Sequence, residues 1–534
     1  MLENNNNNNN TTERERQELH KAIWAIADEL RGSVDGWEFK NYVLGMMFYR
    51  YVSENIQAYV DKQSLEAQES YGGEFKSYSR YLDSEIDEYA RQLMIEEKGF
   101  FIYPSQLFCN VLKSAREDEE LNVHLSKVFK SIEGSTQGAA SESKFKGLFD
   151  DVDVNSNRLG SSVNERNKRL TSLLDGIAKM KLNYTNGIDA FGDAYEYLMS
   201  MYASNAGKSG GEFFTPQEVS KLLALITTIG NPTINKVYDP ACGSGSLLLQ
   251  FAKLPDMGVD KIAQGFYGQE INLTTFNLCR INMFLHNVPF DKFDIANGDT
   301  LLNPKHDSFQ PFDAVVSNPP YSIHWDGKSN PTLIDDPRYS PAGVLAPESK
   351  ADLAFVMHCL SYLSTQGTAA IVCFPGIFYR GGAEQKIRKY LIDQNYVDTV
   401  IALPSNLFYG TSIATYILVL KKSRNTSSVL FIDASNDYVK VANNNKLTDE
   451  NINKVIDTIK DRIDIPHYSK NVHTDDIRAQ DCNLSVSTYV EKPDTREIID
   501  IQDLNSKIQL IVKRQSELRY SIDEIVSELE LMGE

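Results

Sequence analysis

The sequence predicts an α/β protein built on a doubly wound sheet of seven strands, with an all-α domain before the sheet and a coiled-coil helix after it. Short apolar runs alternate with helical patterns from residue 236 to residue 420, which is typical of a mostly parallel sheet covered by helices. Residues 13–180 show helical periodicity instead. The last two predicted strands, 397–403 and 413–420, are close enough along the chain to pair antiparallel.

Composition indicates a folded globular chain. Apolar residues make up 42% and charged residues 24% of the 534 positions, and this length suffices for two to four domains. We find no apolar run long enough to span a bilayer and no charged-then-apolar leader, so we expect no membrane association and a cytoplasmic location. The six cysteines lack the paired spacing of a disulfide framework or a zinc site, so we expect no metal.

The net charge constrains any role with nucleic acid. The formal charge is −19 at pH 7, whereas a protein that holds DNA unaided usually carries a basic footprint. Either the basic residues are concentrated locally, or a partner supplies much of the phosphate contact. We take the acidic balance as an indication of a partner.

These patterns divide the chain into five predicted segments. Residues 4–10 are all asparagine, a polar repeat with nothing to bury. The segments are a disordered Asn-rich tail (1–12), a helical N-terminal domain (13–180), an α/β domain (181–425), a C-terminal extension (426–495) and a heptad helix (496–534). Inside the α/β domain, residues 322–350 have little regular pattern and form a lid, a substrate-contacting loop or an insertion.

A rigid loop follows one predicted strand. The apolar run 312–317 ends in Asn318-Pro319-Pro320-Tyr321, where neither proline can donate a backbone hydrogen bond and each fixes its own φ. Such a loop can grip a planar amino group, because the Asn318 side-chain oxygen and the Pro319 carbonyl accept its two N–H bonds while Tyr321 stacks on the ring. The alternative is an ordinary Pro-Pro turn, so the rest of the chain has to decide.

A glycine turn between a strand and a helix forms a second candidate site. Residues 236–247 include Asp239 at the strand end and Gly243 and Gly245 in the turn, which allow close backbone approach of a ligand at a helix N-terminus. The third glycine of the dinucleotide fingerprint is missing. Upstream, Gly211 to Pro216 leads into a helix, and we expect Thr215 to be its N-cap and Pro216 its first residue.

Acidic residues end the next two predicted strands. Glu270 ends strand 265–270, where doubly wound sheets commonly bind both ribose hydroxyls. Asp299 follows the third strand, where an adenine amine could donate to it. Because the carboxyl ends of parallel strands meet at one edge, we expect these acids to lie beside Asp239 and Asn318.

Together, these motifs resemble those of a known family. Gly211-Glu212-Phe213-Phe214-Thr215-Pro216, Asp239-Pro240-Ala241-Cys242-Gly243-Ser244-Gly245, Glu270, Asp299 and Asn318-Pro319-Pro320-Tyr321 occur in the order found in S-adenosylmethionine-dependent N6-adenine DNA methyltransferases. The helical N-terminal region and the C-terminal extension make the chain resemble the modification (M) subunit of type I restriction-modification systems. The resemblance implies the seven-strand methyltransferase sheet, S-adenosyl-L-methionine as methyl donor, and transfer to the N6 atom of a flipped-out adenine.

The resemblance also implies residue roles. Segment 213–216 and the 239–246 turn hold the methionine part of the cofactor, Glu270 the ribose and Asp299 the adenine. The catalytic set is Asn318, Pro319, Pro320 and Tyr321, and an aromatic residue after the sixth strand, Phe408 or Tyr409, flanks the flipped base. The full cofactor-binding set is Gly211, Glu212, Phe213, Phe214, Thr215, Pro216, Asp239, Ala241, Gly243, Ser244, Gly245, Ser246, Glu270 and Asp299. Cys242 could suggest the nucleophile of a cytosine-C5 methyltransferase, but it lies in the cofactor turn.

The C-terminal residues indicate a partner helix. A seam with spacings of three and four runs through Ile501, Leu504, Ile508, Ile511, Gln515, Leu518, Ile522, Ile525, Leu529 and Met532. The alternative is a long helix that packs on its own chain. By the resemblance, the partners are double-stranded DNA, a specificity (S) subunit shared by two M subunits, and a nuclease/translocase (R) subunit. The sequence leaves three other functions open: a self-sufficient adenine methyltransferase, a protein-glutamine methyltransferase and a non-catalytic assembly subunit.

Overall fold

The computed structural model describes most of the chain as two compact units. It describes residues 14–26, 36–182, 190–205, 215–231, 233–254, 257–409, 411–442, 444–492 and 500–531, with the side chains of 36–39 and 202–205 left out. The units are residues 1–490 and 491–534. The predicted Asn-rich tail lies outside the described residues.

The first unit begins with a helical region. Its helices are α1 (14–26), α2 (Gly36–Tyr71), α3 (Glu88–Lys98), α4 (Phe108–Ser114), α5 (Leu121–Ser135), α6 (Glu142–Phe145), α7 (Val163–Lys179) and α8 (Ala190–Asn205). Local capping explains several boundaries: the Asp87 side chain accepts from the Ala90 N–H at the start of α3, and Gly99 ends that helix in the left-handed region at φ +86°. Aromatic rings fill the interior, where Phe129 and Phe149 stack with centroids 4.4 Å apart.

The α/β fold that the sequence predicts is confirmed, but the sheet has nine strands instead of seven. Its strands are β1 (Lys236–Asp239), β2 (Gly265–Glu270), β3 (Phe293–Asn297), β4 (Phe312–Ser317), β5 (Leu363–Cys373), β6 (Val397–Ala402), β7 (Tyr416–Lys421), β8 (Ser428–Asp433) and β11 (Ser469–His473). A separate hairpin pairs β9 (Val439–Val441) with β10 (Asn444–Lys446). The strand order in the main sheet is β11-β8-β6-β7-β5-β4-β1-β2-β3.

As predicted, β7 pairs antiparallel with β6. The two strands that the prediction missed, β8 and β11, come from the predicted C-terminal extension, so that segment completes the sheet edge.

Both faces of the sheet are buried, which explains the continuous apolar strands. Along β4, Ala314 and Val316 join one core cluster while Val315 joins the other, as the two-residue period of a strand requires. The covering helices are α9 (Gln217–Thr228), α10 (Ser246–Lys253), α11 (Leu273–Leu285), α12 (Asp352–Tyr362), α13 (Ala383–Asp393), α14 (Asp449–Asp461), α15 (Thr474–Ala479) and α16 (Val486–Tyr489). The fold is therefore doubly wound.

A buried arginine on α11 joins the helical region to the sheet. Arg280 is 1% exposed and its Nη1 donates to the carbonyls of Ser143, Lys144 and Lys146 at 3.0, 3.3 and 3.0 Å. The Phe284 ring, one turn further along, lies 4.7 Å from the Phe145 ring. Apolar packing and a buried cation thus hold the 143–146 segment against the sheet.

The second unit contains one long helix, α17 (Ile501–Leu531). The seam residues that the sequence analysis identified between 501 and 529 all lie on this helix and are exposed, while Met532 lies outside the described residues. Val512 and Val526 lie four residues after seam positions and are also exposed, which widens the apolar stripe. No helix within the described ranges has the length and apolar character needed to cross a bilayer.

Candidate active site

Four candidate residues meet at one edge of the sheet. Strands β1 and β2 run parallel, with Asp239 opposite Gly268, and β2 and β3 run parallel, with Glu270 opposite Asn297. Strand β4 runs parallel to β1 on its other side. The carboxyl ends of these strands therefore carry Asp239, Glu270 and the turns that hold Asp299 and Asn318, as the sequence analysis expected.

The glycine turn brings backbone close to the start of α10. Gly245 has φ +82° and its N–H donates to the Cys242 carbonyl at 2.8 Å. A Cβ at this position would lie 2.8 Å from the Cys279 sulfur, so glycine is required for both the turn and the close packing. The Ser244 carbonyl accepts from the Asn282 amide at 2.7 Å, which fixes the turn to α11.

The Asp239 carboxylate has one buried oxygen that accepts no hydrogen bond from the described residues. The side chain is fully buried, and its Oδ1 accepts from the Ala241 N–H at 3.0 Å. Its Oδ2 makes no hydrogen bond within the described part of the chain. Burial raises the pKa of Asp239 to about 7, although the Ala241 N–H favours the ionised form. A cationic or donating group would satisfy this carboxylate.

Glu270 is oriented by two backbone donors. The Gly243 N–H donates to Oε2 at 3.1 Å and the Asn272 N–H donates to Oε1 at 2.8 Å. Burial raises the pKa of Glu270, and these N–H groups partly offset that effect. Each oxygen keeps lone pairs for a further donor, such as a diol. The neighbouring Ile271 is 67% exposed, an apolar surface at the site that the sequence analysis missed.

Asp299 shapes its own turn. Its Oδ1 accepts from the N–H groups of Leu301 and Leu302 at 2.9 and 3.2 Å. The Thr300 hydroxyl donates to the Pro240 carbonyl at 2.6 Å, which ties this turn to the glycine turn. The second carboxylate oxygen of Asp299 is not needed for the turn.

The Asn318 amide lies between two hydroxyl groups. Its Nδ2 donates to Oγ1 of Thr215 at 3.1 Å, and the Tyr321 hydroxyl donates to its Oδ1 at 2.6 Å. The expected helix cap is wrong: α9 begins at Gln217, Pro216 occupies the N-cap position, and no side chain caps the helix. The Thr215 hydroxyl is engaged with Asn318 instead, and the residue is 6% exposed.

Asp352 holds the loop just after the motif. The Ser322 N–H donates to both Asp352 oxygens at 3.2 and 3.1 Å, and Ser322 has φ +52°. Burial raises the pKa of the Tyr321 phenol, and the Asp352 carboxylate adds to the effect, so the phenol stays protonated and donates. Asp352 has no local sequence signal for this contact, because only the fold brings α12 to this loop.

The two aromatic candidates after β6 differ in position. Phe408 is 2% exposed and packs in the core. Tyr409 lines a cavity of about 780 Å³, which Ser200 and Pro216 also line. Its hydroxyl lies 3.1 Å from the Ser200 hydroxyl. Of the two rings, only that of Tyr409 borders open space.

Four predicted cofactor residues, Gly211, Glu212, Phe213 and Phe214, lie outside the described residues. Among the side chains that are described, no group of three or more His, Cys, Asp or Glu is arranged to hold a metal ion.

Comparisons with known proteins identify the family. The N-6 DNA Methylase family matches residues 186–498, and the HsdM N-terminal domain family matches residues 19–177. The chain is 48% identical to the type I restriction enzyme MpnII methylase subunit of Mycoplasma pneumoniae, over 97% of each chain. These matches favour a DNA methylase over the protein-glutamine alternative.

Solved structures agree. The type I restriction-modification methyltransferase subunit from Streptococcus thermophilus superposes with a TM-score of 0.79 and 34% identity, over 89% of this chain and 100% of that one. A chain from a structural study of type I restriction-modification complex assembly shares the fold, with a TM-score of 0.61 and 18% identity over 96% of this chain and 99% of that one. The chain belongs to the N-6 DNA methylase family, as a methylase subunit of the type I restriction-modification kind that uses S-adenosylmethionine as its methyl donor.

Proposed function

We propose that the sheet edge formed by Asp239, Glu270, Asp299 and Asn318 is the site where this subunit transfers a methyl group to the N6 atom of adenine in DNA. The observation that carries the proposal is the Asn318 amide, held between Thr215 and Tyr321 at the sheet edge. Asp239 and Glu270 end β1 and β2 at the same edge, and Asp299 lies in the turn after β3. An amide fixed at both ends is preorganised to bind a planar amino group.

The residues fit the cofactor that the family uses. The buried Oδ2 of Asp239 suits the cationic methionine end, and the Glu270 carboxylate suits the ribose hydroxyls. We assign the adenine amine to Asp299. The remaining predicted contacts to the methionine end are Gly211, Glu212, Phe213, Phe214, Thr215, Pro216, Ala241, Gly243, Ser244, Gly245 and Ser246. When bound, S-adenosylmethionine supplies an electrophilic methyl group on a sulfonium.

The Asn-Pro-Pro-Tyr loop prepares the nucleophile. The N6 lone pair of adenine is delocalised into the ring, so the amine is a poor nucleophile. In our proposal, Oδ1 of Asn318 and the carbonyl of Pro319 accept the two N–H bonds and favour a lone pair localised on nitrogen. Positive charge grows on that nitrogen as the new bond forms, so both acceptors act most strongly in the transition state. Asparagine is neutral and is no base near neutral pH, so the proton leaves to water afterwards.

The target base has to leave the duplex to reach this loop. Bases flipped out of a stack are held by aromatic side chains and by contacts to their edges. Tyr321 is assigned one face of the base, and Pro320 keeps the loop rigid. For the other face, the burial of Phe408 favours Tyr409, which borders the cavity near Pro216.

Sequence recognition is assigned to a partner. The net charge of −19 leaves much of the phosphate contact to another chain. The apolar stripe on α17 is exposed. Val512 and Val526 add a third apolar position to the two of each heptad, which gives the stripe the width that packing in a helix bundle requires. We propose that α17 binds a specificity subunit, that two copies of this chain share one such subunit, and that a nuclease/translocase subunit joins the full complex. The free thiols of all six cysteines suit a reducing cytoplasm.

The test measures transfer of tritium from labelled S-adenosylmethionine to adenine-rich duplex DNA. It compares the chain alone with the chain plus the product of the neighbouring gene, the candidate specificity subunit. An Asn318→Ala variant of the complex is the matched control, and its cofactor affinity is measured in parallel. We expect label on adenine only in the paired sample and not in the variant, with cofactor binding unchanged.

Other outcomes would contradict parts of the proposal. Label with the chain alone would mean that this subunit recognises DNA by itself. If the Asn318→Ala complex labels DNA at the wild-type rate, the Asn318 amide does not take part in methyl transfer. Cofactor binding without any label on DNA would point to a protein substrate.

A further inference from the structure

The segment after the Asn-Pro-Pro-Tyr loop is folded back onto the cofactor side of the sheet. Residues 322–350 contain short 3-10 turns at Gly327–Ser329, Pro331–Leu333 and Ser340–Ala342. The Trp325 indole donates to the Pro347 carbonyl at 3.0 Å, and the Trp325 N–H donates to the Glu348 carbonyl at 2.9 Å, so the two ends of the segment are tied together.

Arg338 and Tyr339 connect this segment to the Asp299 turn. The Tyr339 hydroxyl donates to the Leu301 carbonyl at 3.2 Å. The Arg338 side chain is 6% exposed. Nη1 donates to the Thr300 carbonyl at 2.8 Å and Nη2 donates to the Leu301 carbonyl at 2.7 Å. The guanidinium is itself oriented by Asp336, whose Oδ2 accepts from Nη2 at 2.7 Å and whose Oδ1 accepts from Nε at 3.0 Å.

The Asp299 turn is therefore held from both sides. The Asp299 Oδ1 atom binds the N–H groups of Leu301 and Leu302 from within the turn. Arg338 binds the carbonyls of Thr300 and Leu301 from outside it. With Oδ1 occupied and the backbone fixed, Oδ2 is the oxygen of Asp299 that remains for a ligand.

A buried histidine extends the same contact to β1. Arg338 Nη1 also lies 3.1 Å from Nδ1 of His358, and because a guanidinium only donates, Nδ1 accepts. The ring proton is then on Nε2, which donates to the Tyr238 hydroxyl at 2.9 Å. Burial and the Arg338 charge hold the pKa of His358 well below its ordinary value, so the ring is neutral. Tyr238 directly precedes Asp239.

We propose that Arg338 is a positioning residue for the adenine of the cofactor, and that it makes the site selective for the 6-amino group by holding the Asp299 turn in place. The inference rests on the proposed role of Asp299. It gives residues 322–350 a function: they link the loop that holds the target amine to the turn that holds the cofactor's own adenine.

The test is a comparison of two ligands by calorimetry. S-adenosylhomocysteine donates an amine hydrogen to a carboxylate, whereas S-inosylhomocysteine presents an oxygen there. For the wild-type chain we expect a preference of about 10- to 100-fold for the adenosyl ligand, the range of a hydrogen bond to a charged group. In Arg338→Met we expect that preference to fall below about threefold, because Met retains the length but not the donors. Arg338→Lys, which can reach only one carbonyl, should give an intermediate preference.

Arg388→Met is the matched control. Arg388 is 2% exposed and also donates to two backbone carbonyls, those of Cys482 and Ile377, at 2.9 and 2.8 Å. Those carbonyls belong to neither the Asp299 turn nor the glycine turn. We expect Arg388→Met to lower the unfolding temperature but to keep the wild-type ligand preference.

The outcomes separate this inference from the proposed function. A wild-type chain that binds both ligands equally would overturn the role of Asp299. A wild-type preference that Arg338→Met retains, with both affinities reduced equally, would leave Arg338 a structural residue only. If Arg338→Met does not fold, as judged by circular dichroism, Asp336→Asn decides: we expect it to lower the preference at least threefold, and an unchanged preference overturns the inference.

Discussion

The Tyr321 hydroxyl donates a 2.6 Å hydrogen bond to the Asn318 side-chain oxygen, the same atom that we assign to the target amine. A carbonyl oxygen has two lone pairs, so it can accept from both. Tyr321 therefore has two separable roles, a ring that can stack on the base and a hydroxyl that fixes the amide.

Tyr321→Phe separates these roles. It keeps the ring and removes the donor, and we expect the single-turnover methylation rate of the complex to fall about fivefold, the worth of one hydrogen bond. Tyr321→Leu also removes the ring and should lose about 10- to 100-fold in binding of the flipped base. Cofactor affinity, measured by calorimetry, should stay unchanged in both variants. Equal rates for Tyr321→Phe and the wild-type complex would contradict the role of the hydroxyl.

Thr215 should act through the other end of the amide. Thr215→Val removes the hydroxyl at nearly constant volume, so we expect the methylation rate at saturating cofactor to fall about 2- to 10-fold. Thr215→Ser keeps the hydroxyl and should stay within about twofold. The saturating condition matters because Thr215 is also assigned to the cofactor. If the Val and Ser variants show the same rate, the contact with Asn318 does not contribute.

The Asp239 carboxyl should make cofactor binding depend on pH. Its pKa in the folded protein is raised to about 7, so it is largely protonated below that value, whereas an ammonium group of the ligand beside it favours the ionised form. Affinity for S-adenosylhomocysteine should therefore rise with pH, roughly tenfold per unit below pH 7 if one proton is released, and level off above it. Calorimetry across pH 5.5–8.5 measures this, and Asp239→Asn should flatten the profile.

The same shift predicts a stability effect without ligand. A raised carboxyl pKa favours the neutral form in the folded state, so this contribution is fully present below the unfolded value of about 3.9 and is lost as the pH rises through about 7. The unfolding free energy of the wild-type chain should thus fall, relative to Asp239→Asn, over that interval. A constant difference between the two proteins would mean that Asp239 titrates normally.

The α17 stripe should be needed for assembly and not for cofactor binding. Leu518→Glu puts a charge in the seam, and we expect the complex with the specificity subunit to be lost in size-exclusion chromatography. Ser516→Glu places the same charge outside the seam and should leave the complex intact. Cofactor affinity should be unchanged in both. A complex that survives Leu518→Glu would mean that another surface carries the contact.

Arg280 should matter for stability. Arg280→Met leaves the carbonyls of Ser143, Lys144 and Lys146 without their buried donor, so we expect a loss of about 2–4 kcal/mol in the free energy of unfolding. Urea unfolding measures it. Arg514→Met, on the exposed face of α17, is the control and should change stability by less than about 0.5 kcal/mol. A similar small change for Arg280→Met would show that apolar packing alone holds the two regions together.

The sequence predicted the first seven strands along the chain because their signal is local. Each apolar run of β1 to β7 ends in a polar residue or a turn, and that pattern is visible without knowing the neighbours. Strand β11 was missed because it is an edge strand of mixed polarity, and its pairing with β8 identifies it. Strand β8 lies between β11 and β6, and its apolar run 429–432 is a local signal that was not used in the prediction.

By itself, the sequence identified the acids, the glycine turn and the Asn-Pro-Pro-Tyr loop as candidates, and separately the seam of α17. Only the tertiary structure decided which atoms of those groups form hydrogen bonds with which partners. Thr215 and Asn318 are 103 positions apart, and a capping pattern is the only local signal at Thr215, so its bond to the amide could not be foreseen. Likewise, Arg338 is 38 positions from the Thr300 carbonyl that it binds. Periodicity reports which face of an element is buried, whereas a long-range hydrogen bond depends on how separate elements pack, which no short stretch of the chain specifies.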